Sequence, residues 1–165
     1  MTLAELNALP PAAFRDRLAA IFEHSPWVAG RAAPRRPFAS LEALHAALRE
    51  EVERAAPAEQ LALLRAHPDL GARAALTAAS QSEQSSAGLL ALDAGRLEIL
   101  QSLTACYRRK FGFPFIYAVK GSPPEDILIS LQIRLDGAPE EEFHAALSQI
   151  YRIAWFRLSA MLEGA

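Results

Sequence analysis

The chain of 165 residues is 52% hydrophobic and carries 17 basic and 19 acidic residues, which give it a formal net charge of −2 at pH 7. This length and composition predict one folded domain covering residues 1–165 and exclude a disordered chain. There is no long basic block, no apolar run of membrane-spanning length and no signal-peptide pattern at the start. We therefore expect a cytoplasmic protein that binds neither nucleic acid nor membranes.

Helix-forming residues dominate the chain, and strand patterns are scarce. Caps, prolines and apolar periodicity predict an all-α bundle of about eight helices with one irregular apolar segment, residues 113–119. In chain order, the predicted helices cover residues 11–23, 27–32, 41–55, 57–66, a helix that starts at Ser80, and then residues 94–112, 123–136 and 139–163.

Side-chain caps and one cysteine refine this prediction. Ser40 and Asp93 are predicted N-caps, and Ser122 with Glu125 has the form of a capping box. The single cysteine, Cys106, excludes an internal disulfide and lies in an apolar helical stripe, so we expect a buried, reduced thiol. No pair of histidines has the spacing of a metal site, and we predict no bound metal.

His67 has the most distinctive setting of the four histidines. Histidine exchanges protons near neutral pH, and Pro68 disfavours the helical conformation at the residue before it. The preceding helix is therefore expected to end just before His67. One interpretation is a histidine that interacts with the last carbonyls of that helix, and the other is a catalytic proton carrier.

The segment Ser80-Gln81-Ser82-Glu83-Gln84 places a carboxylate and an amide side by side at a predicted helix start. Ser80 with Glu83 three residues later is itself a capping box, which is the structural interpretation. The functional interpretation uses the same place, because the free N–H groups and the dipole of a helix start keep a carboxylate ionised. Such a carboxylate could accept several N–H bonds from a urea-like group.

Arg157 lies within an apolar stripe of the last helix. Such an arginine either extends its charged end to the margin of the stripe or needs an anionic partner, for which a substrate carboxylate would serve. Arg134 and Arg152, by comparison, have the pattern of arginines on a solvated helix face.

The irregular segment also allows two interpretations. Its aromatic residues could simply fill the core. Alternatively, main-chain N–H and C=O groups that no helix uses could face a planar ligand, which makes Phe115, Ile116, Tyr117, Ala118 and Val119 candidate binding residues.

Several short motifs, in this order and spacing, resemble the 2-oxo-4-hydroxy-4-carboxy-5-ureidoimidazoline (OHCU) decarboxylases, the last enzymes of oxidative urate breakdown to (S)-allantoin. The motifs are Ser25-Pro26-Trp27-Val28, Arg36-Pro37-Phe38, Arg65-Ala66-His67-Pro68-Asp69-Leu70, Ser80-x-x-Glu83-Gln84-x-x-Ala87-Gly88-Leu89 and Lys110-Phe111-Gly112-Phe113-Pro114-Phe115-Ile116. The resemblance covers nearly the whole chain. The link of residues 73–79 looks shorter than in many relatives, which bears on the loop contacts.

The resemblance implies an all-α, cofactor-free homodimer that decarboxylates a small ureidoimidazoline. It matches His67 to the catalytic histidine of the family. The matched substrate-binding positions are Pro68, Ser80, Gln81, Ser82, Glu83, Gln84, Phe115, Ile116, Tyr117, Ala118, Val119 and Arg157. On this basis Glu83 has a catalytic role as well as a binding role.

Two other functions remain open from the sequence, and a third is disfavoured. One is a helical interaction module without catalysis, in which His67 and Glu83 only cap helices. Another is a related decarboxylase that acts on a different ureido acid. A third, an all-α enzyme that relies on a pair of cysteines, is disfavoured because Cys106 has no second cysteine to pair with.

Overall fold

A computed structural model describes residues 1–72 and 76–162. Within these residues it contains nine α-helices, two short 3₁₀-helices and no strand, which confirms the predicted all-α class. The α-helices are α1 Leu3–Ala8, α2 Pro11–Arg17, α3 Trp27–Ala32, α4 Leu41–Glu53, α5 Pro57–Arg65, α6 Ala78–Ser86, α7 Ala94–Phe111, α8 Pro124–Leu135 and α9 Pro139–Leu162. None of the described helices is long and apolar enough to cross a membrane.

The helices form two compact units. Of the described residues, the first unit contains residues 1–66 and 151–162, and the second contains residues 67–72 and 76–150. Helix α9 contributes its first half to the second unit and its second half to the first. Of the link between His67 and Ser80, residues 73–75 lie outside the described part of the chain, so the prediction about its length is not assessed.

In the first unit, α3 packs against α2 and α4. The sequence spacing within α4 explains its burial, because Leu44, Leu48 and Val52 recur every four residues and are all fully buried. Phe14 of α2 stacks on Phe38 with ring centres 6.2 Å apart. An apolar core of this kind is expected to supply most of the stability of the unit.

In the second unit, α7 and α8 pack side by side and run parallel. Arg96 contacts Glu125 near the two N-termini, and Lys110 contacts the carbonyl of Leu135 near the two C-termini. Parallel neighbours need a connection that returns along their length. Residues 112–123 are that connection, and the irregular apolar segment forms its middle.

Helix α2 is six residues shorter than predicted, since it ends at Arg17 and not at Glu23. Beyond Arg17 the chain continues in tight turns, in which main-chain hydrogen bonds span three residues in place of four. The carbonyls of Ala20 and Ile21 in these turns lie 2.9 and 3.5 Å from Nη1 of Arg157. A long-range contact therefore accompanies the early end of the helix.

Two predicted N-caps are confirmed and two predicted capping boxes are wrong. The side chains of Ser40 and Asp93 accept from main-chain N–H groups at the starts of α4 and α7. Helix α6, however, starts at Ala78, and its N-cap is Thr77, three residues before the predicted cap Ser80. Helix α8 begins at Pro124 without a side-chain cap, so Ser122 makes no capping box. The sequence analysis also predicted no helix at Leu3–Ala8, where α1 lies.

Cys106 is exposed, so the predicted buried thiol is wrong. The buried positions of α7 are Leu100, Thr104 and Tyr107, which recur at helical spacing. Cys106 precedes Tyr107 and lies about 100° away from it around the helix.

Tyr151 yields a stability prediction. Its hydroxyl is buried and has no hydrogen-bond partner among the described residues. Because an unsatisfied buried hydroxyl is unfavourable, Tyr151→Phe is expected to raise the free energy of unfolding at pH 7 by about 1 kcal/mol. Urea unfolding at pH 7 measures this change, and a loss of stability would contradict it.

The same residue predicts a dependence on alkaline pH. Burial, reinforced by the Glu53 carboxylate, raises the pKa of Tyr151 to about 12, above its ordinary value of 10.0. Between pH 10 and 12 the unfolded chain loses this proton while the folded protein keeps it, so stability falls as the pH rises. The fall is expected to be smaller in Tyr151→Phe. It will not vanish, because burial and a bond to Glu142 also raise the pKa of Tyr107.

Candidate active site

His67 lies just beyond the C-terminus of α5, as predicted from Pro68. The helix ends at Arg65 with Ala66 as its C-cap, and His67 begins the loop that follows. His67 is 6% exposed, whereas Pro68 is half-buried. The structure thus places a titratable ring in a buried position on a loop, where a helix end and a proline restrict the backbone.

The loop after His67 is attached to two helices of the second unit. The N–H of Gly71 donates to Oε1 of Gln84 in α6 over 2.9 Å, and this bond is buried. The carbonyl of Gly71 accepts from Nε2 of Gln101 in α7 over 3.4 Å. The Gln84 side chain therefore supports the loop that carries His67.

Gly71 is required by this loop for two reasons. It has a φ of 77°, and a Cβ added there would lie 2.8 Å from Cδ2 of the fully buried Leu100. Gly71→Ala is expected to lower the free energy of unfolding by about 1–2 kcal/mol through backbone strain. Crowding is expected to add a further loss of about 1–3 kcal/mol.

Gly121→Ala is the matched control for that substitution. Gly121 has nearly the same φ, 79°, but an added Cβ would meet no atom within 4 Å. Urea unfolding of both variants separates backbone strain from crowding. Equal losses of stability would show that the close approach of Leu100 is unimportant.

Helix α6 presents the predicted residues on two faces. Ser80 and Gln84 are buried, at 5% and 2% exposure, Glu83 is half-buried, and Gln81 and Ser82 are exposed. The N–H of Ser80 is capped by the side chain of Thr77, so Ser80 lies inside the first turn. The half-buried carboxylate of Glu83 lies one residue from the Gln84 amide. The roles of these five residues in substrate binding stay predictions.

The irregular segment is extended and has two different edges. Phe115 and Tyr117, two residues apart, have rings that stack 6.0 Å apart, as expected where alternate side chains share a face. On one edge, the carbonyl of Ile116 accepts from Arg134 over 2.7 Å, and the N–H of Ala118 donates to Gln149 over 3.0 Å.

The opposite edge has main-chain groups without hydrogen bonds to the described residues. In an extended chain, the N–H and C=O groups of alternate residues point in opposite directions, so those of Phe115 and Tyr117 face away from Arg134 and Gln149. Among the described residues these groups form no hydrogen bond. Phe115 is fully buried and Tyr117 is half-buried, so of the two only Tyr117 can offer these groups to a ligand. We call the main-chain N–H and C=O of Tyr117 the open edge.

Sequence reasoning missed Arg134 and Gln149 as supports of this segment. The prediction that Arg134 lies on a solvated face is wrong, because its side chain is only 14% exposed. The sequence does contain a signal for the burial of Arg134. Ile127, Leu131 and Arg134 share one helical stripe, and the first two are fully buried. Arg152 is exposed, as predicted.

Arg157 lies in the first unit, where it forms a buried ion pair. Its Nη2 is 2.9 Å from Oε1 of Glu23, with side-chain exposures of 8% and 1%. The same guanidinium donates to the carbonyl of Ala20 over 2.9 Å. The sequence predicted a need for an anionic partner, and Glu23 is that partner. The buried charge therefore does not require a substrate carboxylate.

One surface pocket of about 360 Å³ lies next to the loop after His67, but it is separate from these residues. Its lining comes from the loop and from α7, including Asp69, Leu70, Gln101 and Arg108, and none of the predicted site residues lines it. The described part of the chain also contains no group of three His, Cys, Asp or Glu residues arranged to hold a metal ion.

Comparison with known proteins assigns the family. The family model described as OHCU decarboxylase matches residues 7–159, which is most of the chain. The chain belongs to the OHCU decarboxylase family. As a member of this family it is a carboxy-lyase, and the predicted family is confirmed. This assignment disfavours the interaction module without catalysis.

Individual OHCU decarboxylase relatives support the same conclusion. An OHCU decarboxylase of Haloferax volcanii is 45% identical over 159 residues, covering 96% of this chain and 95% of the relative. The uric acid degradation bifunctional protein PucL of Bacillus subtilis is 42% identical over 161 residues, which are 98% of this chain and 33% of that protein. A crystal structure of (S)-allantoin synthase matches with a TM-score of 0.80 and 32% identity, covering 97% of this chain and 54% of that chain.

Proposed function

We propose that this protein decarboxylates OHCU to (S)-allantoin during urate degradation, with His67 as the proton carrier and without a cofactor. The observation that carries the proposal is the buried His67 on a restrained loop, in a chain that belongs to the OHCU decarboxylase family over residues 7–159. The relatives named for urate degradation and (S)-allantoin synthesis support the choice of substrate and product.

The substrate contains its own electron acceptor. A carboxylate and a hydroxyl share one ring carbon, and the neighbouring carbon bears the ureido group and a C=N bond. When the bond to the carboxylate breaks, its electron pair forms a C=C bond to that neighbour, and the C=N electrons move to nitrogen, which takes a proton. The resulting enol becomes a ketone when the hydroxyl loses its proton and the ureido-bearing carbon gains one, so the overall change is loss of CO₂ and uptake of one proton.

His67 is proposed to take the hydroxyl proton and to deliver a proton to one face of the ureido-bearing carbon. A histidine side chain can take up and release a proton near neutral pH, as both steps require. General acid–base assistance of this kind contributes typically about 10²–10⁴-fold to a rate. Delivery to one face gives a single enantiomer, which accounts for the (S) configuration.

The polar groups of the second unit fit the remaining parts of the substrate. Gln84 uses its Oε1 to hold Gly71, and its amide nitrogen, which donates to no described residue, can bind the ureido carbonyl. The Glu83 carboxylate can accept hydrogen bonds from ureido N–H groups. Ser80 lies one helical turn from Gln84 on the buried side of α6. The open edge of Tyr117 can bind the ring through one donor and one acceptor.

Arg157 is proposed to orient the substrate through a ring carbonyl. Tight pairing with the departing carboxylate would stabilise the ground state more than the transition state and would slow decarboxylation. The ion pair with Glu23 supports this assignment, since it neutralises the guanidinium within the protein. The participation of Arg157 rests on the family resemblance.

We further propose that the protein acts as a homodimer in the cytoplasm. Ile129 and Ile133 lie one turn apart on α8 and are more than half exposed, so a second copy of the chain could cover this apolar pair. Sedimentation equilibrium tests the dimer directly. A monomer at micromolar concentration would contradict it.

A coupled reaction tests the proposed chemistry. Urate, urate oxidase and hydroxyisourate hydrolase generate the unstable substrate in solution, and CO₂ release is followed with and without this protein. We expect CO₂ release to accelerate in proportion to the protein added. A rate equal to that of the reaction without protein would contradict the proposal.

A further inference from the structure

A buried polar cluster lies behind the segment of residues 113–119. Arg134 donates through Nε to Oε2 of Glu142 over 2.9 Å and through Nη1 to the carbonyl of Ile116 over 2.7 Å. The hydroxyl of Tyr107 donates to Glu142, and its oxygen lies 3.3 Å from Nη2 of Arg134. Side-chain exposures are 14% for Arg134 and 7% for Glu142. The cluster therefore joins α7, α8 and α9 to one carbonyl of the segment.

The charges in this cluster are balanced. Burial and the bond to Glu142 raise the pKa of Tyr107, so its hydroxyl stays protonated as the donor while Glu142 is the acceptor. The Glu142 carboxylate neutralises the guanidinium of Arg134. The cluster is thus a satisfied network, and such networks hold their members in one arrangement.

Arginine is suited to this position in a way that lysine is not. Its planar fork reaches Glu142 and the carbonyl of Ile116 at the same time, and its Cζ lies 4.6 Å from the ring centre of Phe115. A lysine ammonium is a single point charge that cannot reproduce the fork or the stacking. Arg134 therefore fixes two successive residues of the segment, one through its ring and one through its carbonyl.

We propose that Arg134 is a positioning residue for substrate binding, which it serves by holding the carbonyl of Ile116 so that the open edge of Tyr117 faces the substrate ring. Arg134 touches the segment from the opposite edge and does not contact the substrate. This inference rests on the proposed function, because it assumes that the open edge binds the substrate.

Arg134→Lys tests the proposal. The lysine keeps a positive charge near Glu142 but gives up the simultaneous bond to Ile116. We expect KM in the coupled assay to rise about tenfold, because a hydrogen bond to a charged group commonly contributes at least that much to binding. We expect kcat per folded molecule to stay within about threefold of the wild-type value. A purely structural role would lower the melting temperature and leave KM unchanged.

Glu142→Gln distinguishes the ion pair from the bond to the segment. This variant weakens the partner of Arg134 but leaves its fork able to reach Ile116. We expect a lower melting temperature and a KM within about threefold of the wild-type value. Arg96→Lys, in the exposed pair with Glu125, is the matched control and should change neither quantity.

The outcomes separate the two proposals. If the wild-type protein has no activity on the coupled substrate, the proposed function fails, and the inference fails with it. If the wild-type protein is active and Arg134→Lys has an unchanged KM, only the positioning role is overturned. An equal rise in KM for Glu142→Gln would also overturn it, because the bond to Ile116 would then not be the cause.

Discussion

His67→Asn is expected to lower kcat by about 10²–10⁴-fold while the protein remains folded. Asparagine is close to histidine in size and can still form hydrogen bonds, but it cannot take up and release a proton near neutral pH. Steady-state turnover in the coupled assay measures the effect, and the melting temperature reports whether the fold is retained. A folded His67→Asn protein with near-normal turnover would contradict the proposed proton transfer.

His144→Asn is the control for this substitution. His144 lies on the exposed surface of α9, so the same change of side chain occurs there outside the buried loop. We expect its kcat to equal that of the wild-type protein. A comparable loss in both variants would indicate a general effect of removing a histidine.

Glu23→Gln is expected to produce the largest change in stability. It leaves the guanidinium of Arg157 buried without its carboxylate, and breaking a buried ion pair in this way typically costs about 3–5 kcal/mol. At about 2–4 °C per kcal/mol for a protein of this size, the melting temperature should fall by roughly 6–20 °C. Thermal unfolding at neutral pH measures the shift.

An exposed ion pair in the same unit is the control for Glu23→Gln. Nη2 of Arg31 lies 2.5 Å from Oε1 of Glu59, but the two side chains are 43% and 40% exposed. Glu59→Gln is expected to lower the melting temperature much less than Glu23→Gln does, because solvent screens an exposed pair. Equal losses for the two substitutions would contradict the importance of burial.

The double variant Glu23→Leu with Arg157→Met separates stability from function. Replacing both members of a buried pair with apolar residues is often neutral for stability, so most of the loss caused by Glu23→Gln should be recovered. Activity should remain low if Arg157 orients the substrate. Full activity in a stable double variant would remove Arg157 from the proposed site.

Local sequence signals predicted the helices well where the stabilising interaction is itself local. Ser40 and Asp93 cap the helices that begin immediately after them, and Pro68 correctly predicts a helix end just before His67. Within α6, a cap was also expected, but Thr77 forms it in place of Ser80. Two nearby residues were each able to cap, and propensity alone did not distinguish them.

The site was harder to predict where distant residues determine the structure. Helix α2 ends six residues early, and the carbonyls of residues 20 and 21 in the turns after it contact Arg157, which is more than 130 residues away in the chain. The charge of Arg134 predicts a solvent-exposed side chain, although the residue lies in the same helical stripe as the buried Ile127 and Leu131. Its partners, Glu142 and the carbonyl of Ile116, become visible only once the chain is folded.

Circular dichroism of the coupled urate reaction tests the central claim most directly. The signal reports the handedness of the allantoin formed, and therefore whether a proton is delivered to one face. We predict that the signal of (S)-allantoin appears rapidly when wild-type protein is present. With His67→Asn, we predict no rapid appearance of this signal. A slow decay to racemic allantoin, identical with and without the wild-type protein, would contradict the account.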